Sequence, residues 1–143
     1  MGVRRRAPAA WAAVAVICGL FVTVGLAGQG TAKSTRDGVY TKEQAARGAT
    51  QYAKVCASCH DPAKVPAGKK AAPQLIGDKF LDKWRDRTLG ELLTLIETTM
   101  PDDGSAVLNS AETADVVASI LQANGFPAGA SALASKDKDV VIK

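Results

Sequence analysis

The stretch that decides the fold is VCASCH, residues 55–60, which places Cys56, Cys59 and His60 within five consecutive positions. The whole 143-residue chain contains only three cysteines and one histidine. A Cys-x-x-Cys pair by itself admits a dithiol redox pair, half of a zinc site, a disulfide or a covalent cofactor attachment. The other residues of the chain distinguish among these four kinds of site.

Two of the alternatives are disfavoured by what the chain lacks. A tetrahedral zinc site needs a second pair of cysteine or histidine ligands, and outside this cluster the sequence has only Cys18. A thioredoxin-like dithiol needs strands around it, and no stretch of alternating polar and apolar residues predicts a strand. A disulfide beside an ordinary buried histidine and a covalent cofactor attachment remain.

The N-terminus has the pattern of an export signal. Three arginines, residues 4–6, precede a nearly uninterrupted apolar run, residues 11–26, followed by small residues in GLAGQGTA, residues 25–32. The length of the run lies between that of a signal sequence and that of a membrane-spanning helix, so an uncleaved anchor is the alternative. We predict a signal peptide over residues 1–27 and a periplasmic protein, which contacts the membrane only if this segment is retained.

The charge of the exported chain excludes one class of partner. Residues 1–27 contain three arginines and no acidic residue, so their removal leaves 15 of the 18 basic residues against 14 acidic ones. A nucleic-acid-binding protein is expected to present a concentrated basic face with stacking aromatic residues, and aromatic residues make up 5% of the chain. We therefore predict no nucleic-acid partner.

The remaining patterns predict short helices joined by loops. The first helix follows Thr41 as N-cap and presents one apolar face, formed by Ala45, Ala49, Tyr52, Ala53 and Cys56. Residues 61–77 are predicted to be an irregular loop that wraps around something, because prolines and glycines break any periodicity. Asp78 is expected to cap a brief helix that contains Trp84.

Two later helices carry capping signals. Thr88 and Glu91 form a capping box before a helix that ends at Met100, and the last helix runs from Asn109 or Ser110 to residue 124. Pro101 favours an extended backbone at Met100. The fold class predicted from these patterns is all-α, with four to five short helices.

The histidine directly after the second cysteine identifies the kind of cofactor. Cys-x-x-Cys-His is the pattern of covalent haem attachment. Thiols three positions apart on a helical turn can add to the two vinyl groups of one porphyrin edge, and the next residue can bind the iron through a neutral imidazole. We therefore predict one haem c bound by Cys56 and Cys59, with His60 as an axial ligand of the iron.

Met100 is the predicted second axial ligand. It is the only methionine besides the initiator; without the haem motif it would be interpreted as core packing. A thioether favours ferrous iron, and an iron with two protein ligands suits an electron carrier. The alternative is an open or labile distal site that acts as a peroxidase or gas sensor. The absence of a second histidine disfavours it, because a distal acid–base group is then missing.

Several charged and aromatic residues are candidates for contacts at the haem periphery. Trp84, Arg85 and Arg87 are able to approach the haem propionates, and the alternative is a core tryptophan with solvated arginines. Charges that can steer a redox partner, or simply form a solvated face, lie on both sides of the expected haem edge: Lys64, Lys69, Lys70, Asp102 and Asp103.

Residues 40–127 resemble the small class I c-type cytochromes. The resemblance rests on QAARGATQYAKVCASCH at residues 44–60, PQLIG at 73–77, TMP at 99–101 and ETADVVASILQANGFP at 112–127. Residues 80–101, FLDKWRDRTLGELLTLIETTMP, are most similar to bacterial periplasmic haem c proteins that serve quinoprotein alcohol or sugar dehydrogenases.

The resemblance implies the cytochrome c fold, with helices wrapped around one haem, and specific roles for named residues. It implies thioether bonds at Cys56 and Cys59, axial ligation by His60 and Met100, and a hydrogen bond from the other His60 nitrogen to the Pro73 carbonyl. It also implies close packing of the first and last helices at Gly48, opposite an aromatic residue. In this chain Ser119 stands where that aromatic often falls.

The predicted organisation is a signal peptide or anchor over residues 1–27, a linker over 28–39, a cytochrome c domain over 40–127 and a flexible tail over 128–143. The predicted function is that of a periplasmic single-electron carrier, not an enzyme. It accepts electrons from a dehydrogenase, for which a quinoprotein is the candidate, and passes them to a respiratory acceptor such as a terminal oxidase or another cytochrome. A fixed subunit of a dehydrogenase complex is the second alternative.

Overall fold

A computed structural model describes residues 1–2, 34–61, 63, 67 and 71–143. Within these residues the regular structure is helical, and two isolated β-bridges take the place of strands. The prediction of an all-α fold is confirmed for this part of the chain. The predicted signal peptide lies outside the described residues apart from its first two residues, and so do Lys64, Lys69 and Lys70.

Five α-helices follow one another along the described chain. They are α1 (Lys42–Val55), α2 (Ala57–His60), α3 (Asp78–Trp84), α4 (Leu89–Thr99) and α5 (Ser110–Ala123). Single-turn 3-10 helices lie at both ends of the folded unit, at Thr35–Asp37 and Ser135–Asp137. None of the helices in the described part of the chain has the length and hydropathy that a membrane span requires.

The helix starts follow local sequence signals. The Thr41 hydroxyl accepts a hydrogen bond from the Gln44 N–H, and capping boxes begin α4 at Thr88 and α5 at Asn109. These three caps agree with the prediction. At α3 the N-cap is Gly77, with φ +76°, and Asp78 is the first helical residue.

The core is organised by a close crossing of α1 and α5 at Gly48. A β-carbon at Gly48 would lie 1.7 Å from the carbonyl oxygen of Asp115, so only glycine permits this approach. The Arg47 guanidinium binds the Asp115 carboxylate at 2.8 and 2.9 Å beside the crossing. Gly48 therefore faces the α5 backbone at Asp115 and Val116, whereas Ser119 is buried and donates its hydroxyl to the Val116 carbonyl at 2.7 Å.

The buried face of α1 differs from the predicted one. Gln44, Ala45 and Gly48 are buried, while Ala49 and Ala53 are exposed. The crossing at Gly48 sets the rotation of the helix. The buried Gln44 amide is satisfied by the backbone of Leu133: its Nε2 donates to the carbonyl at 3.0 Å, and its Oε1 accepts from the N–H at 2.7 Å.

Residues 128–143 were predicted to be a flexible tail, and the structure packs them into the domain instead. Leu133, Val140 and Ile142 are buried, and Ile142 is 0% exposed. The Asp86 N–H donates to the Ile142 carbonyl at 2.8 Å, and the Ile142 N–H donates to the Arg87 carbonyl at 2.9 Å. These bonds tie the C-terminal segment to the turn between α3 and α4.

The end of the predicted linker, residues 34–39, also belongs to the folded unit. Thr35 and Val39 are buried. The Thr35 N–H donates to the Val141 carbonyl at 2.9 Å, and the Gly129 N–H donates to the Tyr40 carbonyl at 2.7 Å. The two terminal segments thus pack against each other, which no local pattern in either segment indicates.

Candidate cofactor site

Cys56, Cys59 and His60 lie where α1 passes into the single turn of α2. Cys56 ends α1 and begins α2, and its carbonyl accepts hydrogen bonds from the Cys59 N–H at 3.1 Å and the His60 N–H at 3.0 Å. Cys56 is half-buried, Cys59 is exposed, and neither forms a disulfide. The turn brings two thiols and one imidazole to the same end of α1.

The His60 ring is held by the returning loop. Its Nδ1 lies 2.8 Å from the Pro73 carbonyl oxygen, and the Ala72 N–H donates to the Cys59 carbonyl at 3.1 Å. Because a carbonyl oxygen only accepts, Nδ1 carries the proton in this contact, and in the neutral imidazole the lone pair is then on Nε2. The contact that the family resemblance implied for His60 and Pro73 is present in this structure.

Met100 marks the end of α4. Its backbone is extended, with φ −123° and ψ 141°, as the following proline predicts, and its N–H closes the helix by donating to the Ile96 carbonyl at 3.1 Å. The Met100 side chain is half-buried against the core. The helix end thus brings a thioether to the side of the domain that contains His60.

Two cavities meet between these elements. The larger has a volume of about 550 Å³, which lies within the range of roughly 300–1,000 Å³ for ligand pockets. The smaller has a volume of about 70 Å³ and extends toward α3. Residues that line both cavities are His60, Pro73, Ile96 and Met100. Cys56 and Cys59 line only the larger cavity.

The lining of these cavities fits a covalently attached haem. Apolar side chains, among them Val55, Ile96 and Leu108, form much of the wall of the larger cavity. The side chains that could bind the iron are the imidazole of His60 and the thioether of Met100, and c-type haem iron accepts both kinds of ligand. Two thiols three positions apart stand in the same wall, as a covalent attachment requires.

The thiols do not resemble a catalytic dithiol. Burial, with a smaller contribution from nearby Cys59, raises the pKa of Cys56 to about 11. Cysteines that exchange disulfides have a lowered pKa, because the thiolate is the reacting species. The surroundings of Cys56 therefore add to the sequence argument against a thioredoxin-like pair.

Trp84 belongs to the wall of the smaller cavity. It is 2% exposed and stacks near Phe80, with ring centroids 6.5 Å apart. The Arg87 guanidinium lies 4.6 Å from the Trp84 ring centroid and donates to Glu91, while Arg85 is exposed. Neither arginine lines either cavity, although Arg87 lies against the Trp84 ring.

Sequence reasoning missed two basic residues at the site. Lys79 and Lys83 line the smaller cavity beside Trp84. They stand four positions apart on α3, and this spacing places them on one helix face. The same spacing, applied to the charged residues of the helix as well as to its apolar ones, is the signal that would have found them.

The comparison with known families identifies the chain. A family model described as cytochrome C oxidase, cbb3-type, subunit III matches residues 43–120, more than half of the chain, and the match includes the cysteines, the histidine and Met100. No curated protein and no solved structure matches the chain. A cytochrome c domain implies covalently bound haem c with its iron, redox partner proteins and a role in electron transfer. The chain therefore belongs to the family of the cbb3-type cytochrome c oxidase subunit III model, and it is a c-type cytochrome.

Proposed function

We propose that this chain is a periplasmic single-electron carrier with haem c attached through Cys56 and Cys59 and with His60 and Met100 as the axial ligands of the iron. The observation that carries the proposal is that His60 and Met100 line the same two cavities, beside the turn that contains both thiols. Haem c supplies a reversible one-electron couple when it is bound.

His60 and Pro73 prepare the nitrogen ligand. The Pro73 carbonyl holds the proton on Nδ1 and restricts rotation of the ring. The lone pair of Nε2 is then free to bind the iron. A hydrogen bond from a metal-bound imidazole to an acceptor raises the basicity of the ligand. This contact therefore both orients His60 and strengthens it as a ligand.

Met100 supports a carrier with a raised reduction potential. A soft thioether favours ferrous over ferric iron, and the apolar wall at Ile96 and Leu108 disfavours the additional positive charge of the ferric state. If His60 and Met100 both bind the iron, as proposed, no coordination position would be left for a substrate. This distinguishes a carrier from the alternative of a peroxidase or gas sensor with an open site.

Features of the sequence support a proposal for the direction of electron flow and for the location of the protein. We propose that residues 1–27 are a signal peptide that is removed on export and that a dehydrogenase in the periplasm donates the electron. A quinoprotein dehydrogenase is the proposed donor, because residues 80–101 are similar to the haem c proteins that serve such enzymes. The acceptor is a respiratory protein such as a terminal oxidase or another cytochrome.

The ligands are tested by absorption spectra of the exported protein, oxidised, reduced, and reduced under carbon monoxide. We expect a methionine-to-ferric-iron charge-transfer band and no response to carbon monoxide. Met100→Ala is expected to lose the band and to bind carbon monoxide, while Val107→Ala, a change at a side chain 91% exposed, retains the wild-type spectra. Carbon monoxide binding by the wild-type protein without the band would contradict Met100 ligation and favour the open-site alternative.

The donor and the location need separate measurements. Mass spectrometry of the mature N-terminus distinguishes a cleaved signal from a retained anchor. Stopped-flow reduction by a purified quinoprotein dehydrogenase tests the proposed donor, with reduction by free substrate as the control. Co-sedimentation with the dehydrogenase at physiological ionic strength would contradict a diffusing carrier and indicate a fixed subunit.

A further inference from the structure

The two cavities differ in the charge of their lining. Asp102 and Asp103 line the larger cavity, which contains the thiols. Lys79 and Lys83 line the smaller cavity, and among the described residues they are the only lysines or arginines that line either one. Among the residues that the structure describes, the charged side chains that line the larger cavity are therefore acidic, and those that line the smaller cavity, beside α3, are basic.

The chemistry of haem c relates this polarity to the cofactor. The two carbons that form thioethers stand on one half of the porphyrin, and the two propionates stand on the opposite half. Attachment at Cys56 and Cys59 therefore directs the carboxylates away from the thiol-bearing wall. Carboxylates are repelled by aspartates, which line the larger cavity, and attracted by ammonium groups, which line the smaller one.

The structure favours the lysines over the nearby arginines as partners for carboxylates. Arg87 already donates to the Glu91 carboxylate at 2.9 and 3.2 Å and stacks on Trp84, while Arg85 lines neither cavity. The Lys83 ammonium lies 5.7 Å from the Trp84 ring centroid, on the cavity side of α3. A lysine can lay its aliphatic stem along such a wall and keep its charged head near water.

We propose that Lys79 and Lys83 form a binding pair for the two propionates of haem c and raise its reduction potential. The inference rests on the proposed function, since it needs haem attached at Cys56 and Cys59. Unpaired carboxylates near the iron stabilise the ferric state through their negative charge. Paired ammonium groups offset that charge, so their removal makes reduction less favourable.

The test compares Lys79→Gln, Lys83→Gln and the double variant with Lys136→Gln, which removes the same charge at an exposed site that lines neither cavity. Spectroelectrochemical titration is expected to give an equilibrium constant for reduction about twofold to tenfold lower in the double variant. A tenfold change corresponds to 59 mV for one electron. The resonance Raman bands of the propionates should shift in the same variants and remain unchanged in Lys136→Gln.

Two outcomes separate this inference from the proposed function. If the double variant has the potential and the propionate bands of Lys136→Gln while the methionine-to-iron band is retained, the lysine pair is refuted and the carrier function stands. If the wild-type protein lacks that band and binds carbon monoxide, the proposed function is contradicted, whatever the lysine variants show. A shift that shrinks as the salt concentration rises would support charge pairing near the surface.

Discussion

The close crossing of α1 and α5 predicts a change in stability on replacing Gly48 by alanine that is opposite in sign to the change expected from helix propensity. Replacing glycine by alanine inside an exposed helix normally stabilises it by about 1 kcal/mol. At Gly48 the new β-carbon would lie 1.7 Å from the Asp115 carbonyl oxygen, 2.3 Å from its carbonyl carbon and 3.0 Å from the Val116 nitrogen. We therefore expect Gly48→Ala to destabilise the domain.

The size of the effect follows from the atoms that clash. All three are backbone atoms of a helix, so no side-chain rotation relieves the contact, and the helices have to separate by about 2 Å to reach ordinary van der Waals distance. Overpacking of this kind costs roughly 1–3 kcal/mol and occasionally more. Because a contact of 1.7 Å is far below van der Waals distance, we take the upper end of this range, about 3 kcal/mol. After the gain of about 1 kcal/mol in propensity, we expect a net loss of about 2 kcal/mol, a substantial part of the roughly 5–15 kcal/mol typical of a domain.

The assay is equilibrium unfolding of the haem-loaded protein in guanidinium chloride, followed by tryptophan fluorescence and haem absorbance. Thr50→Ala is the matched control, because residue 50 is exposed on the same helix and the change adds no atom at the crossing. It should stay within about 0.5 kcal/mol of the wild type. A Gly48→Ala protein as stable as the wild type, or more stable, would refute the close approach of the helices.

Two further predictions concern the C-terminal segment and the pH dependence of stability. Ile142→Ala should destabilise the protein by about 2–5 kcal/mol in urea unfolding, because Ile142 is fully buried; a flexible tail would give no change. The Arg87 side chain and the Thr88 N–H lower the pKa of Glu91. The ionised Glu91 therefore adds to the free energy of unfolding above the carboxyl pKa of the unfolded chain, and this contribution is lost as pH falls through the pKa of the folded state. Glu91→Gln should accordingly be less stable than the wild type at neutral pH, and the two urea midpoints should converge in acid; a constant difference would contradict the assignment.

Local patterns predicted the parts of the fold that depend on neighbouring residues. The capping boxes at Thr88 and Asn109 and the extended backbone at Met100 all agree with the structure. Each depends on contacts within about four positions, which the order of residues determines directly. For the same reason, the spacing in VCASCH brings two thiols and an imidazole to one turn.

The buried face of α1 was predicted only in part: Ala45, Tyr52 and Cys56 do pack into or against the core, and the rest of the face depends on distant residues. Gln44 is polar and was assigned to no apolar face, yet it is buried and bonded to Leu133, 89 positions away. Ala49 and Ala53 are apolar but exposed. Small side chains such as these are a weak signal of burial, because single apolar residues are common on protein surfaces. The rotation of a helix is decided by what packs on it, and here that is the approach of α5 at Gly48.

The sequence alone determined the class of fold, the haem attachment motif, the candidate ligands His60 and Met100 and the helix caps, because these follow from local spacing and from the chemistry of rare residue types. Tertiary structure decided that residues 128–143 pack into the domain and that Lys79 and Lys83, not the arginines after Trp84, line the cavity. Both outcomes depend on which surfaces meet across large separations in sequence. The mixed charges of the C-terminal segment give no sign that Val140 and Ile142 are buried. The backbone of Ile142 bonds to Asp86 and Arg87 in the turn after α3, and the Val140 carbonyl accepts from the Leu89 N–H at the start of α4.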